Sequence, residues 1–595
     1  MKTHDSVDGI RHSLAHLLAA AVLKKFPKAK LGIGPVIEHG FYYDFKLPRP
    51  ITDEDLREFE KTMRGLVGKK LPFSGKKITP LAAKKLFGDQ PFKLDLIKEF
   101  QKEKKPLTIY ITGKEGQRSS AKNQRQSAAF VDLCKGGHVR NTSEINPDAF
   151  KLSHIAGAYW RGDEKNPMLT RIYGLAFKTK EELDDYLAFQ EEAKRRDHKK
   201  LGPELDLFTF SELVGAGLPL WTPKGTLLRN LLDDYVWGLR RAAGYSQVDI
   251  PHLTKKELYE KSGHWEKFKD DLFKVRTREG HFFAIKPMNC PHHTQIYARR
   301  SWSYRELPQR YANTTKVYRD EQSGELAGLS RVRSITQDDA HVFCRKSQIR
   351  EEMAKIWRII ETFYGAFGFD LGVRLSLSDP KHMEKYLGNP KTWKAAENEL
   401  RALVKERHAT ATEAKGEAAF YGPKIDFIGK DSLRREWQVA TIQLDMNMPE
   451  RFDLTCTNEE GEPERIVMIH AAIMGSIERF LSVLIEHYAG DFPVWLAPTQ
   501  VTILPVSDKF SAYAEKVNEG LTQHGIRTEL GGANETLGKR IRETELRKIP
   551  YTIVVGEKEE TAKTVTIRTR HVKETETIPL EKFIEKITKE ITERK

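Results

Sequence analysis

At 595 residues, 39% hydrophobic and 31% charged, the chain reads as a soluble globular protein too long for one core, and roughly three or four domains are expected. Its formal charge of +15 favours a polyanionic partner, and four cysteines (Cys134, Cys290, Cys344, Cys456) at unrelated spacings argue against a disulfide framework and for a reducing, cytoplasmic compartment. No apolar run nears the ~20 residues of a membrane helix, and the start MKTHDSVDGIRHS is no signal peptide, so no membrane contact is expected.

Residues 1–178 mix short helices and strands. HSLAHLLA opens an amphipathic helix that puts His12 and His16, four apart, on one face. LGIGPVIEHGFYYDF is strand-like and broken by Gly32, Gly34 and Gly40. AAFVDLCKGGHV is a short apolar run breaking into a Gly-Gly turn that presents Cys134 and His138. Imidazoles at HxxxH spacing can converge on a metal, and they can equally cap a helix or satisfy backbone groups. Taken together, HSLAHLLA, GPVIEHGFYYDF, VDLCKGGHV and AGAYWRGD resemble the editing domain of bacterial-type threonyl-tRNA synthetases. The resemblance implies that His12, His16, Cys134 and His138, joined by Asp132 and Lys93, line a site hydrolysing mischarged seryl-tRNA. Many members of that family carry a small ubiquitin-like domain ahead of this one, whereas only about ten residues precede HSLAH here.

Residues 179–200 are charge-dense, and the expectation is a linker helix stopped by Gly202-Pro203, its RRDHKK run a solvated face. From about 201 a second large domain begins. LRNLLDDYVWGLRRAAGY predicts a long helix ended by Gly244, and SQVDIPHL a strand. This helix–strand unit resembles motif 1 of class II aminoacyl-tRNA synthetases, which implies a homodimer through this region. In HFFAIKPMNCPHHTQIY, Cys290 is expected at the end of an apolar strand. KPMNCP is similar to the threonyl family, in which this Cys is a zinc ligand, although His292 stands where that family usually has Gly.

VYRDEQSGELAGLSRVRSITQDDAHVF predicts an antiparallel hairpin with a long polar loop from Asp320 to Ser330. Alternation along a strand puts Arg331, Arg333, Ile335, Gln337, Asp339 and His341 on one face and Val332, Ser334, Thr336, Asp338 and Ala340 on the other. Arg319 adds a guanidinium from the opposing strand, and such planar forks suit phosphate oxygens. The first face is a poor core face and a good wall for a substrate anionic at one end and cationic at the other. The stretch resembles motif 2. Residues 350–410 read as helix, strand, helix. AAFYGPKIDFIGKD and REWQVATIQLDMNMP read as sheet strands, and MIHAAIMGSIERFLSVLIEHYAG as a strand running into a helix that resembles motif 3, with Gly475, Glu478 and Arg479. Ala471 stands where many relatives carry a basic residue. After APTQ, strands and helices alternate in a small α/β domain resembling the family's anticodon-binding domain, where Lys539, Arg540, Arg542, Arg547 and Lys548 are expected on one helix.

The resemblance implies a multidomain α+β protein: an α/β editing domain (1–178), a linker helix (179–200), a class II domain built on an antiparallel sheet flanked by helices (201–497) and an α/β anticodon-binding domain (498–595). The implied activity is activation of L-threonine with ATP and Mg²⁺, then transfer to tRNA(Thr). Arg319, Arg479, Gln337 and Lys424 would be catalytic, Asp339, Tyr421 and Gln443 would bind threonine, and Glu321, Arg331 and Gln438 would complete the ATP site. Cys290, His341 and His470 would hold one Zn²⁺ with a position open for the amino acid. Asn534, Arg542, Glu559 and Arg568 would meet the anticodon. Two other classes compete. A zinc hydrolase using the N-terminal His/Cys group alone leaves the arginines and the C-terminal domain unexplained. A non-catalytic RNA-binding paralogue would have lost Arg319, Arg479 or a zinc ligand, and all are present.

Overall fold

The structure, a computed structural model, describes residues 6–113 and 130–594, so Ala128 and Ala129 of the AAFVDLCKGGHV run lie outside it. The chain divides into two compact units, Met1–Glu192 and Ala193–Lys595.

In the first unit α1 (Ser6–Lys25), β1 (Gly40–Lys46) and α2 (Asp53–Val67) are followed by β2 (Phe73–Lys77), α3 (Pro91–Lys102), β3 (Thr108–Thr112), β4 (Phe130–Leu133) and the antiparallel pair β5 (Phe150–Tyr159) and β6 (Met168–Ala176). Strand β6 lies between β1 and β5, and β2, β3 and β4 make a separate three-stranded sheet. Leu14, Leu17, Leu18 and Val22 recur on one side of α1, and they are fully buried in one cluster with Phe41, Tyr43 and Phe45 of β1. Thr52 starts α2 with a capping box closed by Asp55. Helix α4 (Lys180–Arg196) carries the chain onward.

The second unit opens with α5 (His198–Glu204), α6 (Pro223–Ala242), β7 (Ser246–Gln247), α7 (Cys290–Tyr297), β8 (Gln309–Tyr318) and β9 (Ser334–Cys344). Next come α8 (Ile349–Gly365), β10 (Asp370–Leu377), α9 (Pro390–Glu406), β11 (Ala411–Lys415), β12 (Lys424–Lys430), β13 (Glu436–Asp445), β14 (Val467–Ser476) and α10 (Ile477–His487). Eight strands form one sheet in the order β7-β8-β9-β14-β13-β12-β10-β11, antiparallel except for its two edge pairs. Ile356, Trp357, Ile360 and Phe363 of α8 pack with Ile442, Leu444, Ile469 and Ile473 of the sheet in the main core. The C-terminal part adds β15 (Val501–Pro505), α11 (Ser511–Gln523), β16 (Thr528–Leu530), α12 (Leu537–Leu546), β17 (Tyr551–Val555), β18 (Thr564–Thr569), β19 (Thr575–Pro579) and α13 (Leu580–Glu593). Its five strands run β16-β15-β17-β18-β19. Among the described residues no helix is long and apolar enough to cross a membrane.

Three local expectations are corrected. Gly202-Pro203 does not stop the linker helix: the break falls at Asp197, whose side chain caps Lys199, and both residues lie inside α5. Gly202 serves packing instead, since a Cβ there would sit 2.1 Å from the Phe208 ring. SQVDIPHL is not one strand, because only Ser246–Gln247 pairs, parallel to β8, before Pro251. Strand β9 starts at Ser334 rather than Arg331.

Candidate functional site

A cavity of about 820 Å³ opens on the large sheet. Ile335, Gln337, Asp339 and His341, alternate residues of β9, line it, as do Arg331 and Arg319 beside the strand. Ile335 to His341 spans roughly 20 Å of strand, so the guanidiniums near the loop stand well apart from the imidazole. Arg333 is not in the wall. Lying before the strand begins, it escapes the alternation and donates to the carbonyls of Glu321 and Ala216. Arg319 is held with its guanidinium 5.5 Å from the Phe268 ring, and its Nε is buried with no partner. A buried, unmatched donor on the cavity wall is suited to an anionic ligand. Arg479 enters from the first turn of α10, where Ser476 Oγ accepts its backbone N–H at 3.2 Å. Glu321 pairs with Arg331 at 2.7 Å, and Gln438, also on the wall, donates to Asp426 at 2.8 Å.

Farther along β9, Cys290, His341 and His470 are all buried, and their ligand atoms lie within 4.8 Å of one another. His341 Nε2 is 3.1 Å from His470 Nδ1. Each imidazole is oriented through its other nitrogen: His470 Nε2 donates to Asp445 Oδ2 at 3.0 Å, and His341 Nδ1 meets His293 Nδ1 at 2.7 Å. Burial pushes the Cys290 thiol up and the His341 imidazole down. A sulfur and two ring nitrogens, oriented by a carboxylate behind one of them, match the donor set of a zinc site that leaves a position open. Asp339 stands beside this group, its Oδ1 3.7 Å from His341 Nε2 and its Oδ2 accepting from Asn289 at 3.1 Å. Tyr421 stacks on His470 with ring centres 4.8 Å apart and donates to Gln443.

Cys290 is not at a strand end but opens α7, with Pro291 in the first turn. His292 follows in the helix, buried, its Nε2 against the Thr254 hydroxyl, so the backbone here has no need of glycine. Lys424 lies opposite Gln443 in the sheet and pairs with buried Asp426 at 2.6 Å, while Gln443 and Thr441 make the cavity wall. Asp445, His293, Asn289 and His264, whose Nε2 is 3.5 Å from Cys290 Sγ, went unread in the sequence. HH after Cys-Pro, a second histidine beside a ligand segment, was the available signal for His293.

In the first unit His12 and His16 of α1 meet Cys134 and His138 of the turn after β4. Cys134 Sγ is 3.3 Å from His12 Nε2 and 3.2 Å from His138 Nε2, and the Gly136 N–H donates to the sulfur at 3.3 Å. Gly136 and Gly137 have φ of +97° and +93°, a left-handed turn that admits no side chain easily. Burial lowers His12, His16 and His138, which are therefore neutral near pH 7, and it raises Cys134 to about 11. Beside them Lys93 and Asp132 form a buried ion pair at 2.6 Å, and Tyr43 takes a hydrogen bond from Lys93 and donates to Asp132. The cluster thus combines neutral bases, a thiol and a fixed charge pair.

The basic run near the C-terminus is not a free face on one helix. Arg540 is buried and donates to the carbonyls of Pro505, Gly532 and Glu535; Lys539 pairs with Glu535, Arg547 with Glu529 and Lys548 with Asp491. Arg547 and Lys548 already lie beyond α12. Arg542 is exposed, and Asn534 borders a groove of about 260 Å³. Glu559 is engaged locally, accepting from Gly556 N–H at 2.9 Å and the Thr566 hydroxyl at 2.7 Å, and Arg568 reaches Glu545 at 3.9 Å.

Three family models match the sequence: tRNA synthetase class II core domain (G, H, P, S and T) over residues 273–488, anticodon binding domain over 500–590, and threonyl and alanyl tRNA synthetase second additional domain over 108–173. The threonine–tRNA ligase of Gloeobacter violaceus is 47% identical across 98% of this chain and 92% of its own length. That of Thermotoga petrophila is 45% identical across 98% and 88%. Among solved structures, the RNA binding domain of Cryptosporidium parvum threonyl-tRNA synthetase superposes with a TM-score of 0.64 at 37% identity, covering 66% of this chain and 98% of that one. Giardia lamblia prolyl-tRNA synthetase shares the fold, with a TM-score of 0.54 at 16% identity over 68% of this chain and 79% of its own.

Proposed function

The chain belongs to the threonine–tRNA ligase family, and from that premise we propose how its residues divide the work of activating L-threonine, charging tRNA(Thr) and hydrolysing seryl-tRNA(Thr). The observation that carries the assignment is a single cavity with guanidiniums at one end and Cys290, His341 and His470 at the other.

The threonine carboxylate attacks the α-phosphorus of Mg²⁺·ATP in line, and pyrophosphate leaves. No bond to the enzyme forms, so the protein acts by positioning and by neutralising charge. Arg319 meets the α-phosphate and Arg479 the far phosphates, while Glu321, Arg331 and Gln438 bound the nucleotide. Gln337, Tyr421 and Gln443 orient the amino acid, and Asp339 accepts a hydrogen bond from its hydroxyl. Cys290, His341 and His470 would hold zinc, which would supply a Lewis-acidic contact for the threonine hydroxyl that valine lacks.

A site built to engage a hydroxyl rejects an analogue lacking it by roughly 10⁴–10⁵, whereas a missing methylene in an apolar pocket is worth only about 10–200-fold. Valine is thereby excluded and serine is not. The serine that passes is removed in the first unit, where His12, His16 and His138 orient water near the ester and Lys93 and Asp132 hold the surrounding charge. The C-terminal part reads the anticodon through Asn534, Arg542, Glu559 and Arg568, and α6 forms a homodimer interface in a cytoplasmic enzyme.

Threonine-dependent ATP–pyrophosphate exchange tests the reading. Cys290→Ser should lose both bound zinc and exchange, and a Cys290→Ser protein exchanging at the normal rate would overturn the zinc assignment.

A further inference from the structure

The RRDHKK run, expected in solvent, contains a buried imidazole. His198 is 4% exposed. Its Nδ1 lies 2.6 Å from Glu486 Oε1 near the end of α10, and its Nε2 faces the backbone N–H of Leu329 at 3.1 Å. A main-chain N–H can only donate, so Nε2 carries no proton and Nδ1–H donates to the carboxylate. One neutral tautomer is thereby fixed. Asp197, His198 and Glu486 also have the make-up of a cation site. Both ring nitrogens are already engaged, however, and Asp197 accepts from Lys199 N–H at 2.8 Å, so the group reads as a joint rather than a metal centre.

What the joint connects is specific. Leu329 is fully buried in the loop between β8 and β9, and Ala327, Ser330 and Arg331 of that loop line the cavity. Glu486 belongs to the helix whose first turn delivers Arg479 to the same cavity. The ring also lies against Gly328, where a Cβ would come within 2.3 Å of Nε2. The histidine is itself anchored. Its backbone N–H donates to Glu486 at 3.2 Å, Arg196 donates to the carbonyl of His487 at 3.0 Å, and Arg435 holds the second oxygen of Glu486 at 2.6 Å. A guanidinium on the last carbonyls of a helix is favourably placed against its dipole.

We propose that His198 is a positioning residue for the nucleotide: it ties the 326–331 loop to α10 so that Arg331 and Arg479 bound the same nucleotide. This rests on the reading of the cavity as the ATP site.

The test is threonine-dependent ATP–pyrophosphate exchange with ATP and threonine varied separately, for wild type, His198→Ala, His198→Gln and Gly328→Ala. Loss of the loop's hydrogen bond at Leu329, one of the two that the ring makes, should raise KM for ATP roughly three- to tenfold in His198→Ala. KM for threonine should stay near wild type, because Cys290, His341, His470 and Asp445 are untouched. Gln, whose carbonyl can accept from Leu329, should restore most of the loss. Gly328→Ala, whose Cβ would come within 2.3 Å of the ring nitrogen at a backbone φ of +57°, should likewise raise KM for ATP alone. Should His198→Ala fail to fold, Gln and Gly328→Ala still read that contact. An unchanged KM for ATP, equal rises for ATP and threonine, or a Gln variant no better than Ala would overturn the inference. Wild type without threonine-dependent exchange would instead sink the reading of the cavity, and the inference with it.

Discussion

Replacing Asp445 by Asn should weaken zinc binding while leaving the fold intact. Asp445 is fully buried at the end of β13, and its two oxygens have separate tasks. Oδ1 accepts the backbone N–H groups of Asn447 and Met448 at 2.8 and 2.9 Å, and Oδ2 accepts Nε2–H of His470 at 3.0 Å. An Asn keeps the first oxygen, so the turn beyond β13 should survive. Its amide nitrogen then faces His470 Nε2, and a donor there favours the tautomer with the proton on Nδ1, the nitrogen turned toward His341 and so the one that would bind zinc. Binding metal would require two donors to face each other in a buried site. Hydrogen bonds to charged groups are worth about 1.5–3 kcal/mol, equivalent to roughly 10–100-fold in affinity, which is the usual loss when a group behind a ligand histidine is removed. Zinc affinity measured by chelator competition should fall by that factor. Threonine-dependent exchange should fall at limiting zinc and recover at high zinc, with a melting temperature close to wild type. Unchanged zinc affinity, or an exchange defect that zinc does not rescue, would refute the assignment of Nδ1 as ligand.

A His12→Ala, His16→Ala double variant should charge threonine normally yet accumulate seryl-tRNA, and equal deacylation of preformed seryl-tRNA by it and wild type would make those residues structural. Arg319→Ala and Arg479→Ala should each slow adenylate formation, by about 10²–10³ if each acts as one charge-stabilising donor, with tRNA affinity nearly intact. A loss of tRNA affinity without a loss of exchange would move them to an RNA face. Burial holds His16 well below the ordinary 6.5, so as pH falls below that value the unfolded chain takes up a proton that the folded unit refuses, and stability is lost. His16→Asn should therefore flatten the fall in melting temperature between about pH 7 and pH 5, and an unchanged slope would show that His16 titrates normally in the fold.

What the sequence disclosed was local. The wall of Gln337, Asp339 and His341 follows from the two-residue repeat of a strand, and His12 beside His16 follows from one helical turn. Errors arose where a distant partner decided the outcome. Alternation puts Arg333 on the wall only for a strand that begins three residues earlier than Ser334, and its partners are the carbonyls of Ala216 and Glu321. Arg540, expected with four other cations on one helix, is buried against the carbonyl of Pro505, and His198, expected on a solvated face, is enclosed by Glu486 and Leu329. A charged run fixes no direction for its side chains, so periodicity could not reveal these pairings.

The face of β9 turned away from the cavity accounts for its precision. Thr336 donates from its N–H and its hydroxyl to Glu478 of α10, both at 2.7 Å, and accepts from Arg229 of α6 at 2.8 Å. Two residues on, Asp338 meets Arg240 of α6 at 3.2 Å. Between these positions the pairing with β14 shifts: Gln337 faces Ser476, but Asp339 faces Ala472. Such a bulge would leave backbone N–H groups of β14 without partners in the ladder. Asp338 takes them, accepting from Ile473 at 2.9 Å and Met474 at 3.0 Å. The bulge ends in Gly475, whose φ of +72° turns the chain into the helix bearing Arg479. A buried polar network with its members paired is rigid, and an apolar face of the same strand would have had no means to satisfy the bulge. Gln337 and Asp339 are thus held in place from behind by charges on two helices, which is the condition for groups that must stabilise a transition state without moving.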